Sequence, residues 1–166
     1  MEQLSTVLNI NKLKHSNNSL KHESEGYINI IFSGNKTSEN EKTILKTELI
    51  KENDYIHFDI NVQFSFDSEC SRCLKIQQVN KKTKFNKKLG IHLLKDYEID
   101  FNSENIDLLP IISEIIIEKM KFTDLCKQEC KGLCSLCGKN QNDYTCNHQE
   151  KNIKESPFSS LSELDL

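Results

Sequence analysis

The amino-acid sequence predicts an α+β fold: an antiparallel β-sheet carrying one packed amphipathic helix, followed by a cysteine-rich segment. Three features point to it. Ile56, Phe58, Ile60, Val62, Phe64 and Phe66 alternate with His57, Asp59, Asn61, Gln63, Ser65 and Asp67, and a period of two belongs to a strand with one face buried. From Asn105 the period lengthens, because Leu108, Leu109, Ile112, Ile115, Ile116 and Met120 recur at three and four, the spacing of a helix with one apolar side. Five of the seven cysteines then follow that helix, so the chemistry they carry is gathered at one end of the chain.

In chain order, the Asn-, Lys- and Ser-rich stretch Asn9 to Ser24 reads as a mobile loop. Gly26 to Ser33 (GYINIIFS) and Thr43 to Ile50 (TILKTELI) are short aliphatic or β-branched runs between Gly, Asn and Lys clusters, and both read as strands. The alternating run from Ile56 is next. A weaker alternation of Val79, Lys81, Thr83 and Phe85 predicts an antiparallel partner strand, which sets Cys70 to Leu74 at or near a hairpin end. Barrel-like closure is one form such a sheet can take. The helix is expected over about residues 106–121, with Asp107 as cap and Pro110 in the first turn. Ile111 and Ile117 widen its apolar stripe, so it packs across the sheet. The chain divides into a β-rich core over 1–125, a cysteine-rich segment over 126–148 packed on it, and a polar tail over 149–166.

A length of 166 residues suits one ordinary domain. No collagen-like or mucin-like bias exists. The strongest apolar run, Ile115 to Ile117, is broken by Glu114, Glu118 and Lys119, so no membrane-spanning helix is expected. Met1 to Lys14 lacks an apolar h-region and a small-residue cleavage site, which makes the cytoplasm the expected compartment.

Seven cysteines in a reducing compartment call for a metal rather than disulfides, and their number is odd. Cys70 and Cys73 form Cys-x2-Cys. The others read Cys126-x3-Cys130-x3-Cys134-x2-Cys137-x8-Cys146, with His148 one residue beyond. Eight thiolate and imidazole ligands suffice for one or two tetrahedral zinc ions. Cys134, Cys137, Cys146 and His148 close locally into a set of three thiolates and one imidazole, with Gly138 suited to the turn after Cys137. Cys70 and Cys73 either join Cys126 and Cys130 or share an ion with Cys134 and Cys137 as in a zinc ribbon; the spacing admits both.

Structural zinc is favoured over catalysis. No His-Glu-x2-His or His-x-Glu pattern, carboxylate pair, triad or phosphate-cradling Gly loop occurs, and a thioredoxin-like Cys-x2-Cys needs a parallel-sheet setting. His15, His22, His57 and His92 are isolated and read as solvated or hydrogen-bonded. The net charge of −3 hides one block of opposite sign: Ser71 to Lys95 holds eight basic residues and no acidic one, leaving 14 basic against 25 acidic elsewhere. Arg72, Lys75, Lys81, Lys82, Lys84, Lys87 and Lys88 are therefore candidate RNA contacts along a phosphate backbone. Arg72 is the only arginine, set between two cysteines. The plainer alternative is that these lysines solvate one face of an exposed hairpin.

Cys70-Ser-Arg-Cys73-Leu, Ile106-Asp-Leu-Leu-Pro-Ile-Ile-Ser-Glu-Ile and Leu125-Cys-Lys-Gln-Glu-Cys-Lys-Gly-Leu-Cys-Ser-Leu-Cys-Gly-Lys-Asn together resemble the YceD family of large ribosomal RNA accumulation proteins. The resemblance runs from Asp54 to the C-terminus, where Ser156-Pro-Phe-Ser-Ser-Leu is similar to the family's closing segment. It implies a non-enzymatic factor for accumulation or processing of large-subunit (23S-type) ribosomal RNA. The implied partners are that RNA, a precursor particle, a ribosomal protein or an assembly factor. The chain departs from the family pattern where Cys146-Asn-His148 stands in place of Cys-x-Cys, and where Lys121-Phe122-Thr123 stands in place of a more apolar, proline-containing stretch. Two rival classes stand beside this one: a zinc-braced protein-interaction adaptor, and a thiol or zinc redox switch.

Overall fold

The computed structural model describes residues 2–14, 19–120 and 125–148; the expected tail over 149–166, with its family-like closing segment, and Lys121 to Thr123 lie outside them. Strand β1 (Val7–Asn9) leads into a single helical turn, α1 (Asn11–Lys14). Then come β2 (Ser19–Gly26), β3 (Ile31–Phe32), β4 (Asn35–Thr37), β5 (Thr43–Glu52), β6 (Tyr55–Glu69) and β7 (Ile76–Gly90). A 3-10 turn (Ile91–Tyr97), β8 (Asn105–Asp107) and α2 (Leu109–Met120) complete the order.

Strand β6 is the centre of the sheet. One edge pairs with β7 along its whole length, from Tyr55 opposite Gly90 to Glu69 opposite Ile76. The other edge pairs first with β5 and then, at Phe66 and Asp67, with β4. β2 lies outside β5, and β3 outside β4. All of these pairings are antiparallel and the sheet stays open, so the barrel-like closure does not form: among the described residues β2 and β7 each pair on one side only.

The alternation in β6 has the expected effect. Ile56, Phe58, Ile60, Val62, Phe64 and Phe66 are fully buried and join Leu45 and Leu49 of β5 and Phe85 of β7 in one core. Helix α2 covers this face with Ile111, Ile112, Ile115, Ile116 and Met120. Each such side chain contributes about 1.5–3 kcal/mol on burial, and β6 and α2 supply more of the core than any other elements. The opposite face is polar.

Three sequence expectations need correction. Helix α2 begins at Leu109 rather than near 106, because Asn105 to Asp107 pair with β1 and bury Ile106 against the core. Asp107 still caps it: Oδ1 accepts the Leu109 N–H at 2.9 Å and the Thr6 hydroxyl at 2.6 Å. At the other end the Met120 carbonyl accepts from Asn35 Nδ2 at 2.8 Å. The expected loop Asn9 to Ser24 contains α1 and most of β2, with 15–18 outside the described residues. Its composition misleads because β2 is an edge strand whose outward side chains form cross-strand ion pairs, Lys21 with Glu48 at 3.4 Å and Glu23 with Lys46 at 3.1 Å. Finally, Gly26 to Ser33 is not one strand. Ser33 (φ 51°) and Gly34 (φ 82°) fold β3 back onto β4 after only two strand residues.

Truncating Phe58 to Ala should lower unfolding free energy by about 3–5 kcal/mol. Lys46→Ala, which removes an exposed ion pair on the other face, should cost less than about 1 kcal/mol. Urea titrations of both variants check this.

Candidate metal centres

The β6–β7 register ends at Glu69 and Ile76, which leaves Cys70 to Lys75 as the hairpin loop. There the Cys70 N–H donates to the Lys75 carbonyl at 3.0 Å and the Leu74 N–H to the Cys70 carbonyl at 2.9 Å. Cys134 repeats the design: its N–H donates to the Lys139 carbonyl at 2.8 Å, and the Gly138 N–H to the Cys134 carbonyl at 2.8 Å. Both turns need a left-handed residue after the second cysteine. Gly138 supplies it at φ 70°, and Leu74 does so at φ 58°, where a side chain costs about 1–2 kcal/mol.

Backbone N–H groups, from the curl itself and for Cys70 also from the segment beyond α2, meet the leading sulfurs. Cys70 is held down to about 6, chiefly by the Cys126 N–H, with those of Cys73 and Arg72 assisting. Cys134 is held down to about 6 by the N–H groups of Leu136 and Cys137. The Asn142 side chain, and then the Gly132 N–H, lower Cys130. The companions move the other way. Cys126 is pushed up to about 12 by burial and then by the neighbouring thiols, and Cys146 to about 11 by Cys137 and then by burial.

Cys70, Cys73, Cys126 and Cys130 form one group and Cys134, Cys137, Cys146 and His148 another, the ligand atoms of each lying within 4.8 Å of one another. In the first, Cys70 Sγ is 3.8 Å from Cys130 Sγ and Cys73 Sγ 3.5 Å from Cys126 Sγ. In the second, Cys137 and Cys146 are 3.6 Å apart. A tetrahedral zinc with bonds of about 2.3 Å separates its sulfurs by roughly 3.8 Å, whereas a disulfide needs about 2.05 Å. The donor sets thus fit two metal ions, one held by four thiolates and the other by three thiolates and an imidazole, as the local spacing suggested. Cys70 and Cys73 face Cys126 and Cys130, and the ribbon-like sharing with Cys134 and Cys137 is not the arrangement formed. With four protein ligands in each set no position is left for a reacting water, the mark of a structural site. The groups differ in exposure. Cys70, Cys73 and Cys130 are buried, while Cys137 and His148 are exposed.

Arg72 ties the hairpin loop to the later segment. Its Nη1 donates to the Cys130 carbonyl at 3.1 Å, and its own carbonyl accepts the Leu133 N–H at 3.1 Å. Gly132 (φ 76°) lies so close that a Cβ there would meet the Arg72 carbonyl oxygen at 3.1 Å. One guanidinium nitrogen thus serves as a brace, while the residue as a whole stays exposed.

The candidate RNA lysines do not share one face. Lys82, Lys84 and Lys88 sit on the polar side of β7, opposite Gln63, Asn61 and His57. Lys84 pairs there with Asp59 at 2.9 Å and Lys88 with Glu52 at 2.6 Å, and both carboxyls are lowered, in each case mainly by the lysine's hydrogen bond. Lys81 and Lys87 oppose the buried Phe64 and Phe58, and Lys87 Nζ lies 4.9 Å above the Phe85 ring. Lys75 closes the hairpin loop and is exposed. Sequence reasoning missed Asp59, Glu52 and Asn142. The two carboxylates become readable once the hairpin register is known, but no sequence signal marks Asn142.

The fold and its ligand groups define a β-rich protein with two candidate structural metal centres. Over residues 58–165 the chain matches the family described as large ribosomal RNA subunit accumulation protein YceD, and it belongs to that family. The family is named for accumulation and not for a reaction. No curated protein and no solved structure matches the chain. Among the described residues, no helix is long and apolar enough to cross a membrane.

Two outcomes follow from the geometry. Leu74→Gly should raise the stability of the metal-loaded protein by about 1 kcal/mol and Gly138→Leu should lower it by a similar amount, read from urea midpoints. In metal-free protein Cys126 and Cys146 hold their protons at pH 7. An entering cation must expel those protons, so zinc affinity should rise with pH and fall in acid. Calorimetric titration in buffers of different ionisation enthalpy should show proton release.

Proposed function

We propose that this protein promotes accumulation or processing of large-subunit (23S-type) ribosomal RNA without catalysing a reaction, by binding that RNA or a precursor particle in the cytoplasm, and that zinc occupies both centres. Family membership supports the process. The observation that carries the binding mode is the placement of β7, an edge strand with lysines on both faces. Lys75, Lys82 and Lys87 make no salt bridge among the described residues. They are the cations best placed to meet phosphate along the strand's open edge. Lys84 and Lys88 instead neutralise acidic neighbours and help fix the sheet. Zinc holds the hairpin end still, so that these cations are presented from a fixed frame. Closed donor sets fit a binding role better than a catalytic one.

A second reading, a protein-interaction adaptor, is favoured by one observation. Leu74 and Ile76 beside the first knuckle, and Leu136 and Tyr144 in the second metal group's loops, are all more than half exposed, and exposed apolar side chains serve protein partners better than phosphate.

Filter binding of a large-subunit ribosomal RNA fragment across a salt series separates the two. RNA binding predicts that Lys82→Glu with Lys87→Glu weakens affinity and makes the salt slope shallower by about 0.7 for each phosphate no longer neutralised on single-stranded RNA. Absent or salt-independent RNA binding, with partners retained in a pull-down after nuclease treatment, would favour the adaptor.

A further inference from the structure

Asn142 lies in the spacer between Cys137 and Cys146 of the second ligand group, yet its side chain serves the first. Nδ2 donates to Cys130 Sγ at 3.2 Å and to Asn140 Oδ1 at 2.8 Å, while Oδ1 accepts the Lys131 N–H at 3.0 Å. The backbone around it is held as firmly. The Asn142 N–H donates to Asn140 Oδ1 at 2.9 Å, the Gln141 N–H donates to the Gly132 carbonyl at 2.9 Å, and Leu133 bridges Asn140 in antiparallel fashion. One loop, whose ends are ligands of one group, thus delivers a hydrogen bond to a ligand of the other.

That bond matters because of where it falls. Cys130 is buried, and an N–H donor to a ligating group orients that ligand and stabilises its charge. The loop's own closure depends on Cys137, Cys146 and His148, of which Cys137 and His148 are exposed. An ion held by that group fixes both ends of the spacer. Without it, the eight residues between Cys137 and Cys146 are held only by hydrogen bonds, among themselves and to the backbone of Lys131, Gly132 and Cys134, and Asn142 loses part of its restraint.

We propose that Asn142 is a positioning residue that couples the two metal centres: an ion at Cys134, Cys137, Cys146 and His148 keeps Asn142 Nδ2 on Cys130 Sγ and so raises the metal affinity of the Cys70, Cys73, Cys126 and Cys130 centre. The coupling is reciprocal, since linkage requires the first ion to raise affinity for the second by the same factor. The more exposed centre exchanges with solvent first, and its loss loosens the buried one. This inference rests on both groups being metal centres.

Cobalt(II) titration of the full chain against a competing chelator tests it, because a four-thiolate cobalt site and one with three thiolates and an imidazole differ in their visible d–d bands and can be followed separately. Asn142→Asp keeps Oδ1 for the Lys131 N–H but removes the donor to sulfur, and His148→Ala weakens the second centre without touching Asn142. Each should weaken the four-thiolate centre by about tenfold or more, with its band shape retained. The two together should weaken it no further than the stronger single variant, since both act through one hydrogen bond. Affinity of the four-thiolate centre unmoved by Asn142→Asp, or two effects that multiply, would overturn the coupling while leaving two metal centres intact. No cobalt–thiolate absorption in the unsubstituted protein would overturn the metal assignment itself, and the coupling with it.

Discussion

The pairing of β6 with β7 over fifteen residues each is the constraint that sets the rest of the structure. It lays the six apolar side chains of β6 in a row for α2 to cover. It also carries Cys70 and Cys73 past the end of the sheet at a fixed separation, where they meet Cys126 and Cys130. The same pleat divides the β7 lysines between two faces. A register slip of one residue would reverse all three outcomes together, because side-chain direction alternates along a strand. Core, candidate metal centre and charged edge are therefore consequences of a single alignment.

The two cysteine turns share a backbone design but differ in setting. The first, with Leu74 forced into a left-handed conformation, is clamped to the chain beyond α2 through Cys126, Cys130 and the Arg72 guanidinium. The second, with Gly138 in that place, is mostly closed upon itself and more exposed. An ion in the first would join segments that are more than fifty residues apart in sequence, where removing chain entropy has the largest effect on stability. An ion in the second would order a local loop. One ion would thus act on the fold and the other on the surface it presents.

Much of this was legible in the sequence, and the limits have physical causes. Alternation in β6 and the helical period of α2 were readable because each buries one face only. β2 was not, since an edge strand with both termini of its ion pairs in solvent carries little apolar signal. The Cys134 group could be assembled from spacing because its members are close along the chain. The partners of Cys70 and Cys73 could not, as spacing says nothing about which distant segment a hairpin end will meet. Arg72 shows the same limit: the Cys130 carbonyl that its Nη1 binds is supplied only by the tertiary fold.

If the eight ligands make two separate centres, one of them clamping the hairpin end to the post-helix segment, each should be removable without the other. Native mass spectrometry of untagged protein, with Cys70→Ser and Cys134→Ser variants, decides the matter. The expected result is two zinc ions in the unsubstituted chain and loss of the ion from the substituted centre in each variant, the other being retained at saturating zinc. A single ion abolished by both substitutions would contradict the two-centre arrangement.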